Sequence, residues 1–324
     1  MSQFTLTDPG FLGAARDRWR FRRHFAAAEK HPLAREEAAW VASIRENGFA
    51  QIPDFIDPGT LRCLQGELQE TLERLEFEMP CLAQARIDPV RHAGLLASQM
   101  YATTGELTRQ GLTFDRPEVR SYDQAVDDFR PSTLTLYMLL QSAAYRQVWL
   151  DERLLRCVCA YLGMAPYLVE AYVRRNFPAP YRSMNHFWHR DLNGRYLLKA
   201  FFFLTDCSIE SGPHEFICGT HRQFDVLNGK RYYDDEEVDR LFPPGSRRRL
   251  ISEVKAGTLI IEDTRGVHRA RMPDVGFRDL GYAVFMPMPV GDVQPLYTVD
   301  RAAFDGMTPL QRKFVPRTCV VEGR

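Results

Sequence analysis

Residues 188–194 read WHRDLNG, and the two side chains in this stretch able to ligate a metal, His189 and Asp191, stand two positions apart. Alternate residues of an extended strand share a face, so this spacing aims both side chains the same way. One more histidine from a distant strand would give two imidazoles and a carboxylate on three adjacent corners of an octahedron. That set leaves positions open on a non-heme ferrous ion. His268, within TLIIEDTRGVHRARM (258–272), is the candidate. The local pattern alone is weak: eight histidines and an acidic residue at about one position in eight yield roughly one His-x-Asp/Glu by chance. Company strengthens it. Arg278 follows His268 by ten residues, and its planar fork suits a bidentate grip on a carboxylate. A 2-oxo acid chelating iron at one end would present such a carboxylate at the other.

Around this stretch the chain reads as short strands punctuated by glycine and proline. They are YLVEAYVRRNF (167–177), FWHRD (187–191), YLLKAFFFLTD (196–206), HEFICGTH (214–221), GTLIIED (257–263) and GYAVFMPMPV (281–290). Many short strands argue for a sandwich or barrel, and jelly rolls commonly host this ligand set. The expected fold is mostly β with flanking helices, built on a double-stranded β-helix core of the jelly-roll, cupin-like kind.

Upstream, residues 8–46 read as helical, with Trp40, Val41 and Ile44 at helical spacing. Gly48 and Pro53 bracket a short strand, and Asp57 before Pro58 opens a helix running to about residue 75. Residues 76–130 are irregular, with short helices around 90–101, and serve either as a substrate-facing cap or as helical padding. TLTLYMLLQ (133–141) is a strand or a short buried helix, and periodicity does not choose between them. Residues 151–163 form an amphipathic helix ended by glycine. A charged insertion between His221 and Leu250, containing YYDDEEVDR and GSRRRL, is an exposed loop and helix or a lid over the metal pocket. With no internal repeat or low-complexity linker, one domain over 1–324 is expected. It comprises a helical part (about 1–130), a jelly-roll core (about 131–292) and a tail (about 293–324).

The 42 basic and 42 acidic residues cancel, so no net field draws the chain to nucleic acid or to a membrane surface. The basic segment RDRWRFRRHF (16–25) is diluted by Asp8 and Asp17 and reads as a solvated helix face. Seven cysteines, scattered and odd in number, fit a reduced protein in the cytoplasm. No apolar run reaches membrane-spanning length. His24, His31, His92 and His221 read as structural histidines. His186, an odd number of positions before His189, points away from the metal face if the strand is regular.

Several of these segments occur together in a recognisable order: ENGFAQIPDFIDP, LLRCVCAYLG, WHRD, LLKAFFFLTD, SGPHEFICGTHR, KAGTLIIEDTRGVHR and VFMPMP. In this the chain resembles the phytanoyl-CoA dioxygenase family of iron(II)- and 2-oxoglutarate-dependent oxygenases, which includes the ectoine hydroxylases. The resemblance implies Fe(II), 2-oxoglutarate and dioxygen (O2) as cofactor and cosubstrates, with His189, Asp191 and His268 as metal ligands. It gives Arg278 the C5 carboxylate of 2-oxoglutarate. RRNF before FWHRD is similar to the ectoine hydroxylases, where an asparagine contacts the cosubstrate, which implies Asn176. Lys199 alternates with Leu197, Phe201 and Phe203 and is expected to point into the same cavity. Ala270 departs from the family, whose members often carry a small hydroxyl residue two positions past the distal histidine.

The implied reaction is hydroxylation of an unactivated C–H bond in a small-molecule or carrier-bound metabolite, such as a specialised metabolite or an acyl thioester, with release of succinate and carbon dioxide. Related halogenases have a small residue in place of Asp191, so the aspartate favours hydroxylation or desaturation. Two other readings stay open: a jelly-roll metalloenzyme using the triad without a 2-oxo acid, and a non-catalytic binding protein of the same fold. Arg278 separates the first of these from the oxygenase.

Overall fold

The structure, a computed structural model, describes residues 16–26, 32–74, 77–80, 117–129, 133–136, 138–178, 182, 184–222, 230–287 and 297–322. The expected helices near 90–101, and the parts of 8–46 at 8–15 and 27–31, lie outside these. The strands, in chain order, are β1 (Phe49–Ile52), β2 (Phe77–Pro80), β3 (Pro117–Arg120), β4 (Thr133–Leu136), β5 (Tyr167–Asn176), β6 (Trp188–His189), β7 (Leu198–Phe203) and β8 (His214–Ile217). They continue with β9 (Tyr232–Tyr233), β10 (Arg249–Ile251), β11 (Leu259–Glu262), β12 (His268–Ala270), β13 (Arg278–Met286), β14 (Val299–Asp300) and β15 (Val320–Val321).

Two antiparallel sheets make the jelly roll. The larger runs β1-β11-β7-β13-β5-β4 and the smaller β10-β8-β12-β6-β9. Period-two alternation divides the central strands of the larger sheet between two cores. In β7, Leu198, Ala200 and Phe202 turn outward, packing with Leu64, Leu68 and Leu154 from the flanking helices. Phe201 and Phe203 turn inward to Tyr172, Ile260, Leu280 and Tyr282. Burying a phenylalanine is worth about 1.5–3 kcal/mol, and a one-residue slip of β7 would exchange these rings between the cores, so register is firmly set. The same register places Lys199 on the inner face.

The flanking helices pin the sheet. Gly281 lies in β13 beneath Trp149, where an added Cβ would stand 2.3 Å from the indole. The Trp149 Nε1 donates to the Tyr282 carbonyl oxygen at 2.8 Å. The bare backbone thus lets a helix clamp the strand that carries Arg278. Helices Pro58–Arg74 and Glu152–Leu162 form where capping predicts. The Asp57 Oδ1 accepts from the Gly59 and Thr60 amides at 2.9 and 3.0 Å, and Gly163 closes the second helix at φ 68°. The ambiguous stretch 133–141 is both things at once: strand β4, then a 3₁₀ turn at Met138–Gln141.

The charged insertion, in its described part, backs the smaller sheet. β9 pairs with β6, and Val238 and Phe242 pack on Trp188 and Ile217. Of the triple arginine, Arg248 donates to the Cys218 carbonyl oxygen, and Arg249 pairs with Glu215 and Asp239. Among the described residues, no helix is long and apolar enough to cross a membrane.

Candidate metal centre

β6 and β12 are neighbours in the smaller sheet, with His189 directly opposite His268. The two imidazoles stand 4.1 Å apart between ring centres. Asp191 follows just past the end of β6, where its amide donates to the Thr264 carbonyl oxygen at 2.9 Å. That bond ties the carboxylate to the loop leading into His268. The His268 Nε2 lies 3.9 Å from the Asp191 Oδ2, and one ligand atom from each of the three buried residues falls within 4.8 Å of the others.

Both imidazoles are oriented for ligation. The Nδ1 of His189 donates to the Phe187 carbonyl oxygen at 2.9 Å, and that of His268 to the Gly266 carbonyl oxygen at 3.0 Å. A carbonyl only accepts, so Nδ1 carries the proton and Nε2 keeps its lone pair. Burial drives the His268 imidazole well below its ordinary pKa, and it lowers His189 as well. Burial alone would raise the Asp191 carboxyl. The Lys199 ammonium instead holds it well below the usual carboxylate range. Two neutral imidazoles and one ionised carboxylate are the donor set that Fe(II) requires.

Lys199 does lie on the inner face, but its Nζ sits 2.6 Å from the Asp191 Oδ2. Burial would lower its pKa, yet the Asp191 charge raises it. The expected cosubstrate contact is thus, in this structure, an ion pair with the triad carboxylate. Behind the triad is a second buried pair, His214 and Glu262, whose Nε2 and Oε2 are 2.7 Å apart. Glu262 faces Lys199 across β11 and β7, and burial raises its carboxyl despite His214.

Arg278 opens β13 opposite Asn176 at the end of β5. It is fully buried. Its Nη2 donates to the Asn176 Oδ1 at 3.1 Å, while Nε and Nη1 have no partner among the described residues. Asp279, the neighbour that could have neutralised it, faces the other way and is held by Arg175 through two 2.7 Å bonds. A buried, ionised guanidinium with idle donors is costly unless an anion completes it. Ala270 stands opposite His214 and offers no hydroxyl.

Sequence reasoning passed over Arg174 and Glu262 and assigned His186 and His214 no role at the site. Arg174 shares Asn176's face, with its guanidinium 5.2 and 5.0 Å from the Tyr172 and Tyr282 ring centres. His186 is buried, and that burial, with the charges of Arg278, Arg182 and Arg174, lowers its pKa to about 4. Strand parity does not extend to His186, because Met184–His186 is a 3₁₀ turn and β6 begins only at Trp188. Trp188 packs on the opposite face of the smaller sheet, beneath Arg269 and Arg249.

A family model for phytanoyl-CoA dioxygenase (PhyH) matches residues 44–272. The chain belongs to this family. The match is to a family of non-heme iron, 2-oxoglutarate-dependent oxidoreductases, and it spans all three residues of the triad, with Arg278 just beyond it. Among solved structures, the non-heme alpha ketoglutarate dependent carbocyclase SnoK from nogalamycin biosynthesis is 16% identical. That alignment covers 80% of this chain and 85% of SnoK at a TM-score of 0.50, which speaks for the shared fold. The epimerase SnoN, from the same biosynthesis, is 16% identical over 79% of this chain and 87% of its own at 0.49. HygX from Streptomyces hygroscopicus, with nickel and 2-oxoglutarate bound, is 18% identical over 80% and 89% at 0.47. No curated protein matches the chain.

Proposed function

We propose that the protein is an Fe(II)- and 2-oxoglutarate-dependent dioxygenase that hydroxylates an unactivated C–H bond of a small-molecule or carrier-bound metabolite. His189, Asp191 and His268 would hold the metal. When bound, the ion supplies the redox chemistry that couples oxidative decarboxylation of 2-oxoglutarate by dioxygen to C–H oxidation, releasing succinate and carbon dioxide.

The chain's own side chains bind, orient and exclude water. Phe187 and Gly266 fix the imidazole tautomers through their carbonyls. Lys199 pairs with Asp191 and keeps its carboxylate ionised and in place. Arg278, steadied by Asn176, receives the far carboxylate of the 2-oxo acid. Tyr172, Phe201 and Tyr282 line the interior and keep it dry. No protein nucleophile is needed. Asp191 fills the place that a halogenase leaves open for a halide, which favours hydroxylation or desaturation. The free cysteines among the described residues fit a reducing compartment, and a cytoplasmic location is part of the proposal.

The observation that carries this reading is the pairing of a compact triad with Arg278, buried and short of partners. A metalloenzyme working without a 2-oxo acid would have no use for that guanidinium. The test is anaerobic titration of the metal-free protein with iron(II) and 2-oxoglutarate, following the weak visible charge-transfer band of the chelate. The band should appear with the native chain, and its absence would overturn the reading.

A further inference from the structure

On one side of Asp191 the site opens on a cavity of about 870 Å³, a size that suits a small organic ligand. Four arginines line it: Arg45, Arg195, Arg222 and Arg265. Asp191 is the acidic residue on the lining, and Lys199 already offsets its charge.

The four arginines are not equivalent. Arg265 is committed to Asp263, which also accepts from the Tyr161 hydroxyl at 2.6 Å. Arg195 stands 3.8 Å from Asp17. Arg45 and Arg222 bond backbone carbonyls instead. The Nη2 of Arg45 donates to the Ala160 oxygen and that of Arg222 to the Glu46 oxygen, both at 2.9 Å. These carbonyls belong to the last turns of two helices, Glu152–Leu162 and Arg35–Asn47. Capping a helix end uses one N–H of a five-donor fork, fixes the side chain and leaves its charge intact. The His221 Nε2, donating to the Arg45 carbonyl oxygen at 3.3 Å, ties the two segments together. The result is two pre-set guanidiniums on the wall of one cavity, with Tyr161, Leu162 and Tyr196 supplying apolar surface.

We propose that this cavity takes a substrate bearing a phosphate or carboxylate, gripped by Arg45 and Arg222, with an apolar or aromatic body against Tyr161 and Tyr196. The substrate class is then a compact organic anion whose charged group lies within one cavity's reach of the metal. The link to turnover depends on the oxygenase reading, because the cavity opens on a triad ligand; the clamp itself needs no metal.

Calorimetry on the full chain, both metal-free and loaded with nickel(II) and 2-oxoglutarate, tests this with phenyl phosphate, benzoate and neutral benzyl alcohol. At least one anion should bind and benzyl alcohol should not, and the anion that binds tells phosphate from carboxylate. Affinity should fall with added salt. The double variant Arg45→Gln/Arg222→Gln should weaken it at least tenfold. Arg247→Gln, outside the cavity, should leave it unchanged and thereby exclude a general surface-charge effect. Should the double variant unfold, the single variant Arg222→Gln and the salt dependence of the native chain carry the test. No anion binding by the native chain, or equal binding by a folded double variant, overturns the proposal. Failure of 2-oxoglutarate to bind the nickel-loaded chain would sink the oxygenase reading and leave the clamp standing or falling on the metal-free data.

Discussion

The two faces of the smaller sheet and its neighbours carry buried charge in opposite conditions. On the outer face, Arg269 reaches Glu215 at 3.0 Å and Asp235 at 2.7 Å, and Arg249 reaches Glu215 at 3.1 Å. Arg190, also buried, donates to the Tyr233 hydroxyl and to the Thr220 and Arg265 carbonyl oxygens. On the inner side Arg278 is equally buried, yet it has one neutral partner and two idle nitrogens. A guanidinium with its carboxylates in place belongs to the scaffold. One short of them is held ready for something that arrives later, and its cost is tolerated for function.

That contrast can be broken, most severely at the triad. His268→Ala should abolish the iron–2-oxoglutarate chelate band and reduce succinate release by more than about a thousandfold. A band that survives would remove His268 from the metal.

Next in size, Arg278→Met and Arg269→Met should separate the two faces. Arg278→Met should weaken 2-oxoglutarate about a hundredfold with iron affinity kept, and should leave urea stability unchanged or higher. Arg269→Met should lower stability by about 1–3 kcal/mol, because it strips one partner from the buried Glu215 carboxylate. Equal destabilisation by both would erase the distinction.

Lys199→Met sharpens the inner side. As a support of Asp191, its loss should weaken iron(II) about ten- to a hundredfold, with 2-oxoglutarate affinity at saturating metal nearly unchanged. The reverse pattern would return Lys199 to the cosubstrate.

The smallest expected effect is a pH dependence at His186. Its folded pKa is about 4 against an ordinary 6.5, so the unfolded chain takes up the proton first as pH falls. His186's share of the stability is therefore complete above pH 6.5 and is lost towards pH 4, by roughly 3 kcal/mol. Urea unfolding across that window should show a shallower slope in His186→Gln. An unchanged slope would place the histidine in a wetter setting.

The sequence made the jelly roll legible because its long strands carry dense apolar runs between turn residues. β9, β10 and β12 escaped notice because two or three residues leave no period to read. His189 and Asp191 stand out because a strand repeats every two residues, and the same rule put Lys199 on the right face. It could not say what Lys199 would meet there, since Asp191 comes from the other sheet. Arg174 was within reach of the same rule, two positions before Asn176. His214 and Glu262 were not: each looks ordinary alone, and only the pairing of β12 with β8 and of β11 with β7 sets them behind the triad.

The carboxylate of Asp235 accepts from Arg182, just upstream of β6, and from Arg269 on β12, both at 2.7 Å. One side chain at the start of an inserted helix therefore staples together the two segments that deliver the imidazoles. A lesion there, on the molecule's outside, would masquerade as a defect in iron retention. A survey of loss-of-function substitutions would find it far from any reacting atom, yet it would be corrected by excess metal.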